Sequence, residues 1–147
     1  WNNTKVFLDA FGQSGFDLFA GSESFLLANM RNGGAGTISA SANINPAAIH
    51  QLFAEWENAD ADDQQAKLNV VRDAFSKKYP MISALKQAIA IYANDPAWTR
   101  VRPPLVELTA EQATTLAAEL ETISFTMPEL KRMRGNGCQS MTANPSP

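Results

Sequence analysis

Hydrophobic and polar positions follow two different habits along this chain. Before residue 45 the apolar positions come in short runs broken by glycine. Asn3 can cap a short helix whose Val6, Phe7, Ala10 and Phe11 recur at three- and four-residue intervals, one helical face. Gly12 and Gly15 end it. Phe16–Ala20 is short and mostly apolar, the pattern of a strand covered on both faces. Ser22 or Ser24 can cap the next helix, in which Phe25, Leu26, Ala28 and Asn29 run toward Gly33 and Gly34. Thr37–Ser41 predicts a second strand, its small, β-branched and hydroxyl side chains suited to a crowded interior.

From Asn45 onward the period is helical. Asn45 followed by Pro46 is a cap with proline at the first helical position, and Ile49, Leu52, Phe53 and Trp56 mark one apolar stripe. Asp60, Asp62 and Asp63 cluster where the next helix begins, a favourable end for carboxylates. That helix carries Leu68, Val71, Phe75 and Tyr79 as far as Pro80. A further helix over Met81–Tyr92 buries Ile82, Leu85, Ile89 and Tyr92. Asn94, Asp95 and Pro96 break it, and Arg102–Pro104 holds an extended connector. Thr109 with Gln112 spells a capping box for a last helix built on Leu116, Leu120 and Ile123. After Pro128 the chain turns polar.

The predicted order is helix, strand, helix, strand, then four helices. Strand, glycine turn, helix, glycine turn and strand is the grammar of a parallel β/α barrel, in which catalytic groups collect at the C-terminal ends of strands. Two parallel strands cannot close a barrel, so the pattern predicts the end of a larger one. Residues 1–45 read as closing β/α units, 46–127 as a C-terminal helical region and 128–147 as a flexible tail. No repeat of solenoid length runs through the sequence.

Composition narrows the function classes. The 147 residues are 45% hydrophobic and 18% charged, values of a globular chain rather than a disordered one. A net charge of -3, with no clustered Lys/Arg stripe, argues against nucleic acid as a partner. The apolar runs are too short for a membrane span, and Trp1–Phe11 shows no signal-peptide pattern. The single Cys138 permits no intrachain disulfide, which favours a reducing, cytoplasmic setting.

Candidate chemistry is sparse. Gly21-Ser22-Glu23 follows the first strand. Glycine there permits close approach of a ligand, and Glu23 can bind a substrate hydroxyl or amine. Equally, Gly21 can simply make the turn and Glu23 decorate a helix start. Gly33-Gly34-Ala35-Gly36 lacks the Lys-Ser/Thr of a phosphate-binding loop and precedes a strand, so it reads as a tight turn. His50, the only histidine, reads as a boundary residue. No Cys/His set has metal-ligand spacing, and no Gly-x-Ser-x-Gly elbow is present. Lys86 lies in a mostly apolar helix, where its stem can pack while its ammonium reaches water; a Schiff-base lysine belongs at a strand end instead.

The run Phe16–Pro46 resembles the dihydrodipicolinate synthase/N-acetylneuraminate lyase family of pyruvate-dependent lyases. Phe19-Ala20-Gly21-Ser22-Glu23 is similar to the end of that family's seventh barrel strand, and Gly33–Asn43 to its eighth. Ala84–Ala88, the connector Val101–Leu105 and the capped helix from Thr109 extend the resemblance from Trp1 to about Leu120. The resemblance implies α/β architecture: the last two strands of a (β/α)8 TIM barrel followed by a C-terminal helical region, in a cytoplasmic homotetramer. It implies a class I lyase or aldolase that binds pyruvate or another 2-oxo acid as a covalent Schiff base, with no separate cofactor and no metal. The family's nucleophilic lysine and proton-relay tyrosine would lie upstream of Trp1, and Lys5 does not match the nucleophile position. The missing N-terminal half of the barrel is then a required partner. Three positions carry over as substrate-binding: Gly21 lining the pocket, Ile38 through its backbone, and Glu23 against polyhydroxylated substrates. A non-catalytic helical interaction module is the competing expectation.

Overall fold

The computed structural model describes residues 1–128 and Leu130. Most of the tail expected from Pro128 therefore lies outside the described residues. Helix α1 (Asn2–Phe11) leads through a 3₁₀ turn to strand β1 (Phe19–Ala20). Helix α2 (Leu26–Arg31) returns to strand β2 (Gly36–Thr37). Four helices complete the chain: α3 (Pro46–Ala54), α4 (Ala61–Ser76), α5 (Met81–Ala93) and α6 (Ala110–Thr122). Helix dominates the structure, and the strands are few.

The two strands pair in parallel, with Phe19 opposite Gly36 and Ala20 opposite Thr37. Both are shorter than the sequence pattern predicts. The ladder reaches one step past the strands at each end: Ala35 donates to the Leu18 carbonyl (2.8 Å) and Ile38 to that of Ala20 (2.9 Å). Beyond it, Ala40–Asn43 winds into a 3₁₀ turn instead of continuing the expected strand to Ser41. Residues 16–18 likewise remain outside the strand.

One buried side chain fixes this pair. Asn29, fully buried on α2, donates its amide to the carbonyls of Leu18 (3.0 Å) and Gly36 (2.8 Å). At Leu18 the amide adds a second donor beside the Ala35 N–H, and at Gly36 it serves a buried carbonyl, which is costly to leave unmatched. Gly34 passes directly over the Asn29 amide, donating its own N–H to the Asn29 carbonyl at 2.8 Å.

The core has two parts, and α4 belongs to both. Leu68 joins Leu26, Leu27, Ile49, Leu52 and Ala61 beneath the β/α unit. Phe75, two turns further along, joins Leu85, Ile89, Leu116 and Leu120 between the later helices. Phe125 closes that second part edge-on to Phe75 (5.9 Å between centroids) and Tyr92 (5.8 Å). The first part crosses the expected boundary at residue 45, so β/α unit and helical layer share one interior.

The caps show where local sequence decides. Thr109 and Gln112 form the full capping box, each side chain bonded to the other's backbone. Asn45 makes no side-chain cap, although Pro46 does open α3. On α1 the structure turns the expected pattern around. Leu8 is the buried residue, while Val6, Phe7 and Phe11 remain 65%, 51% and 46% exposed. The aromatic rings instead line up with one another, Phe7 on Phe11 at 6.0 Å and Phe11 on Phe16 at 5.9 Å. No described element covers that face.

Candidate functional site

Parallel pairing puts the C-terminal ends of β1 and β2 at one edge. The segment after β1 is Gly21-Ser22-Glu23, and the segment after β2 is Ile38-Ser39. Ser22 is extended, and its hydroxyl accepts from the Ser24 N–H (3.2 Å), which starts the 3₁₀ turn Glu23–Phe25. That turn directs the Glu23 side chain inward, where only 1% of the residue is exposed.

A carboxylate so buried needs partners, because desolvation otherwise penalises its charge heavily. Glu23 has two. Ser39 Oγ donates to Oε2, and Arg72 Nη1 lies 2.8 Å from the same oxygen. Arg72 Nη1 also stands 3.5 Å from Ser39 Oγ. Three groups from three segments thus meet at the strand ends: one after β1, one after β2, one from α4.

Helix α4 holds this loop a second way. Gln65 donates to the Glu23 carbonyl (3.0 Å) and to Asn69 (3.1 Å), and accepts from the Leu27 N–H (3.1 Å). Main chain and side chain of Glu23 are both tied to the same helix.

The three residues singled out from sequence fall around this cluster. Glu23 is its buried centre. Gly21 stands at the surface, with nothing within 4 Å of where a Cβ would be. Ile38 directs its N–H to Ala20 and keeps its residue 72% exposed. Ser39 and Arg72 were not foreseen as site residues. The signal for Arg72 was present, since it lies four residues after Leu68 and three before Phe75, on the apolar stripe of α4. An arginine inside such a stripe announces a buried acidic partner, though not which one.

The other candidates sit elsewhere. His50 is exposed and helps line a cleft of about 270 Å³ beside Phe19 and Gly36, the first residues of the strands rather than their C-terminal ends. Lys86 is partly buried, with Nζ over the Trp98 ring at 5.4 Å from its centroid, a cation–π contact. Gly33 and Gly36 take positive φ, 83° and 143°, as a tight helix-to-strand turn requires. Among the described residues no helix is long and apolar enough to cross a membrane.

The structure thus presents a parallel β/α unit with a buried, ion-paired carboxylate after its strands. Residues 7–123 match the dihydrodipicolinate synthetase family, and the chain belongs to it. Members of that family are lyases and synthases. An uncharacterized DapA-like lyase of Chloroflexus aurantiacus is 30% identical over 126 residues, covering 84% of this chain and 40% of that protein. A 4-hydroxy-tetrahydrodipicolinate synthase of Thermoanaerobacter sp. is 37% identical over 62 residues, 40% of this chain and 21% of the synthase. The chain thus spans two fifths or less of these curated relatives. Among solved structures, YagE, a prophage protein of the dihydrodipicolinic acid synthase family from E. coli K12 in complex with pyruvate, superposes with TM-score 0.70 at 24% identity. That match covers 84% of this chain and 42% of YagE. A putative family protein from Coccidioides immitis gives TM-score 0.62 at 20% identity, over 84% of this chain and 42% of that protein. These neighbours are TIM barrels, and the likeness speaks to the fold alone.

Proposed function

We propose that this chain contributes the seventh and eighth strands and the helical cap of a (β/α)8 barrel, a class I lyase or aldolase acting on pyruvate or another 2-oxo acid. The observation that carries the reading is the edge where β1 and β2 end together, closed by Glu23, Ser39 and Arg72. In parallel barrels substrates bind at that edge. The pyruvate complex of YagE supports the choice of a 2-oxo acid.

In this reading the substrate carbonyl becomes a Schiff base on a lysine supplied by the rest of the polypeptide, which also supplies the proton-relay tyrosine. The iminium draws electrons from the adjacent C–C or C–H bond, so no separate cofactor is called for. The residues present here shape the pocket. Gly21 leaves space for the ligand to approach, and the Ile38 backbone lies beside the 2-oxo acid. Glu23 meets the far end of the substrate. The working form is a homotetramer in the cytoplasm.

Trapping with pyruvate and borohydride tests the reading, with peptide mass spectrometry locating the adduct. The complete polypeptide is expected to carry a reduced pyruvyl group on one lysine outside these 147 residues. An adduct on a lysine of this chain overturns the assignment of the nucleophile, and no adduct anywhere overturns the Schiff-base chemistry.

A further inference from the structure

We propose that Asn32 and Gly33 form a site of spontaneous deamidation which the folded turn between α2 and β2 holds closed, so that the modification occurs only when that turn opens. The inference does not depend on the lyase reading, because the only reagent is water.

An asparagine followed by glycine cyclises readily, since glycine has no side chain to hinder its own nitrogen. The Gly33 nitrogen gives up its proton and attacks Asn32 Cγ. The bond from Cγ to Nδ2 breaks, and ammonia leaves with that proton. Water then opens the cyclic imide. Opening at the side-chain carbonyl leaves aspartate, and opening at the main-chain carbonyl leaves isoaspartate.

Asn32 is exposed at the C-terminal end of α2, so water reaches it. Its groups are nevertheless held against the reaction in three ways. The amide that must leave donates to the Ala28 carbonyl at 2.8 Å, which draws the side chain back along the helix. The nitrogen that must attack donates to the Met30 carbonyl at 3.1 Å, so its proton is engaged. Cyclisation also needs that nitrogen on the same side as Asn32 Cβ, and at ψ 16° it lies on the far side.

The lock is Asn29. Gly34 donates to the Asn29 carbonyl at 2.8 Å and passes over its side chain, which is bonded to Leu18 and Gly36. The main chain at Asn32 cannot swing round while that contact holds the next residues in place. Either product then opposes closure. A carboxylate at position 32 cannot donate to Ala28, and its charge meets the negative end of α2. Isoaspartate lengthens the main chain beside Gly34, where the Asn29 amide leaves no room.

The test uses the complete polypeptide at mildly alkaline pH and body temperature. Peptide mass spectrometry follows aspartate and isoaspartate at position 32, in buffer and in guanidinium chloride. Conversion in buffer should be at least about tenfold slower than in denaturant. Asn29→Ala should speed conversion in buffer about tenfold, while Tyr92→Phe, which weakens the fold away from this turn, should change it by less than about threefold. If Asn29→Ala does not fold, Gly34→Ala is read instead and must show the same contrast. Equal rates in buffer and denaturant overturn the closed turn. No conversion in denaturant overturns Asn32 as the site. Equal acceleration by Asn29→Ala and Tyr92→Phe, or none by Asn29→Ala, overturns the control by the turn.

Discussion

A Cβ on Gly34 would lie 2.2 Å from the side-chain amide of Asn29. No atom pair tolerates that distance, so the two residues specify each other. Gly34 does not have the positive φ of its neighbours Gly33 and Gly36. Glycine is required there for space, because the amide beneath it is clamped to Leu18 and Gly36 and cannot retreat. Gly34→Ala should therefore destabilise the fold by about 1–3 kcal/mol, the usual cost of overpacking. Asn29→Ala should cost about 2 kcal/mol by removing the side-chain donor to the buried Gly36 carbonyl and one of the two donors to the Leu18 carbonyl. In the Asn29→Ala background the obstructing amide is gone, so adding Gly34→Ala should cost less than it does alone. Urea denaturation of the four proteins measures the coupling; strict additivity would refute the contact.

The Glu23–Arg72 pair should behave as a unit in stability. Removing one member of a buried pair leaves the other charge uncompensated, at about 3–5 kcal/mol for full burial. Arg72 keeps 23% side-chain exposure, so Arg72→Met is placed at the low end, about 3 kcal/mol. Glu23→Gln combined with Arg72→Met should cost less than the sum of the single changes. A chemical-denaturation double-mutant cycle decides the matter, and a coupling near zero would contradict the buried pair.

Arg31 and Asp62 form a second ion pair, this one in water. Nη1 donates to Oδ1 at 2.8 Å and Nη2 to Oδ2 at 2.7 Å. The hydrogen bond from Arg31 holds the Asp62 carboxyl below its ordinary pKa, against an opposing desolvation and with the Arg31 charge adding to it. A carboxylate lowered on folding stabilises the protein above its unfolded pKa, about 3.9, and that contribution is lost as pH falls through the folded value. The Asp62 carboxyl should titrate by NMR below ordinary aspartates, and Arg31→Gln should return it to their range. An unchanged midpoint in Arg31→Gln would show the bridge to be open in solution.

Tyr92 places its hydroxyl 2.5 Å from the Phe125 carbonyl, where Phe125 packs on Phe75. Tyr92→Phe keeps the ring and removes the donor, so about 1–2 kcal/mol should be lost to the unsatisfied carbonyl. Burial pushes the Tyr92 phenol above its ordinary pKa, with the Glu121 charge adding to it. The sign is that of an acid kept neutral: its contribution is complete below the unfolded value, about 10, and fades as pH rises through the folded one. Wild type and Tyr92→Phe should accordingly converge in stability under alkaline conditions. A gap that persists there would contradict a phenol that folding keeps neutral.

What could be read from the sequence was what is settled locally. Thr109 and Gln112 stand three residues apart, and each supplies what the other's backbone lacks. The glycines at 33 and 36 mark a turn that their backbone angles require. The apolar Leu68 and Phe75 are two turns apart on one helix, and both are buried. The family resemblance was legible through the glycine-bounded run Phe16–Pro46. Strand extents were not, because a residue joins a ladder only where a neighbouring chain meets it: Phe16 and Ser41 fit the pattern but pair with no strand. The Val6–Phe11 face was legible as apolar, but periodicity names such a face without naming what covers it. The site was harder still. Glu23 could be named, but its setting depends on Arg72, 49 residues away, which no local pattern joins to it.

Gln65 carries a consequence for the order of assembly. Helix α2 has six residues, too few to persist alone in water. The Leu27 N–H near its start is satisfied by the Gln65 side chain rather than by a neighbour in sequence. Slow exchange of the Leu27 amide with solvent deuterium thus requires α4 to have docked. That single amide is a clock for the moment when the helical layer closes over the strands and the wall at Glu23 takes shape.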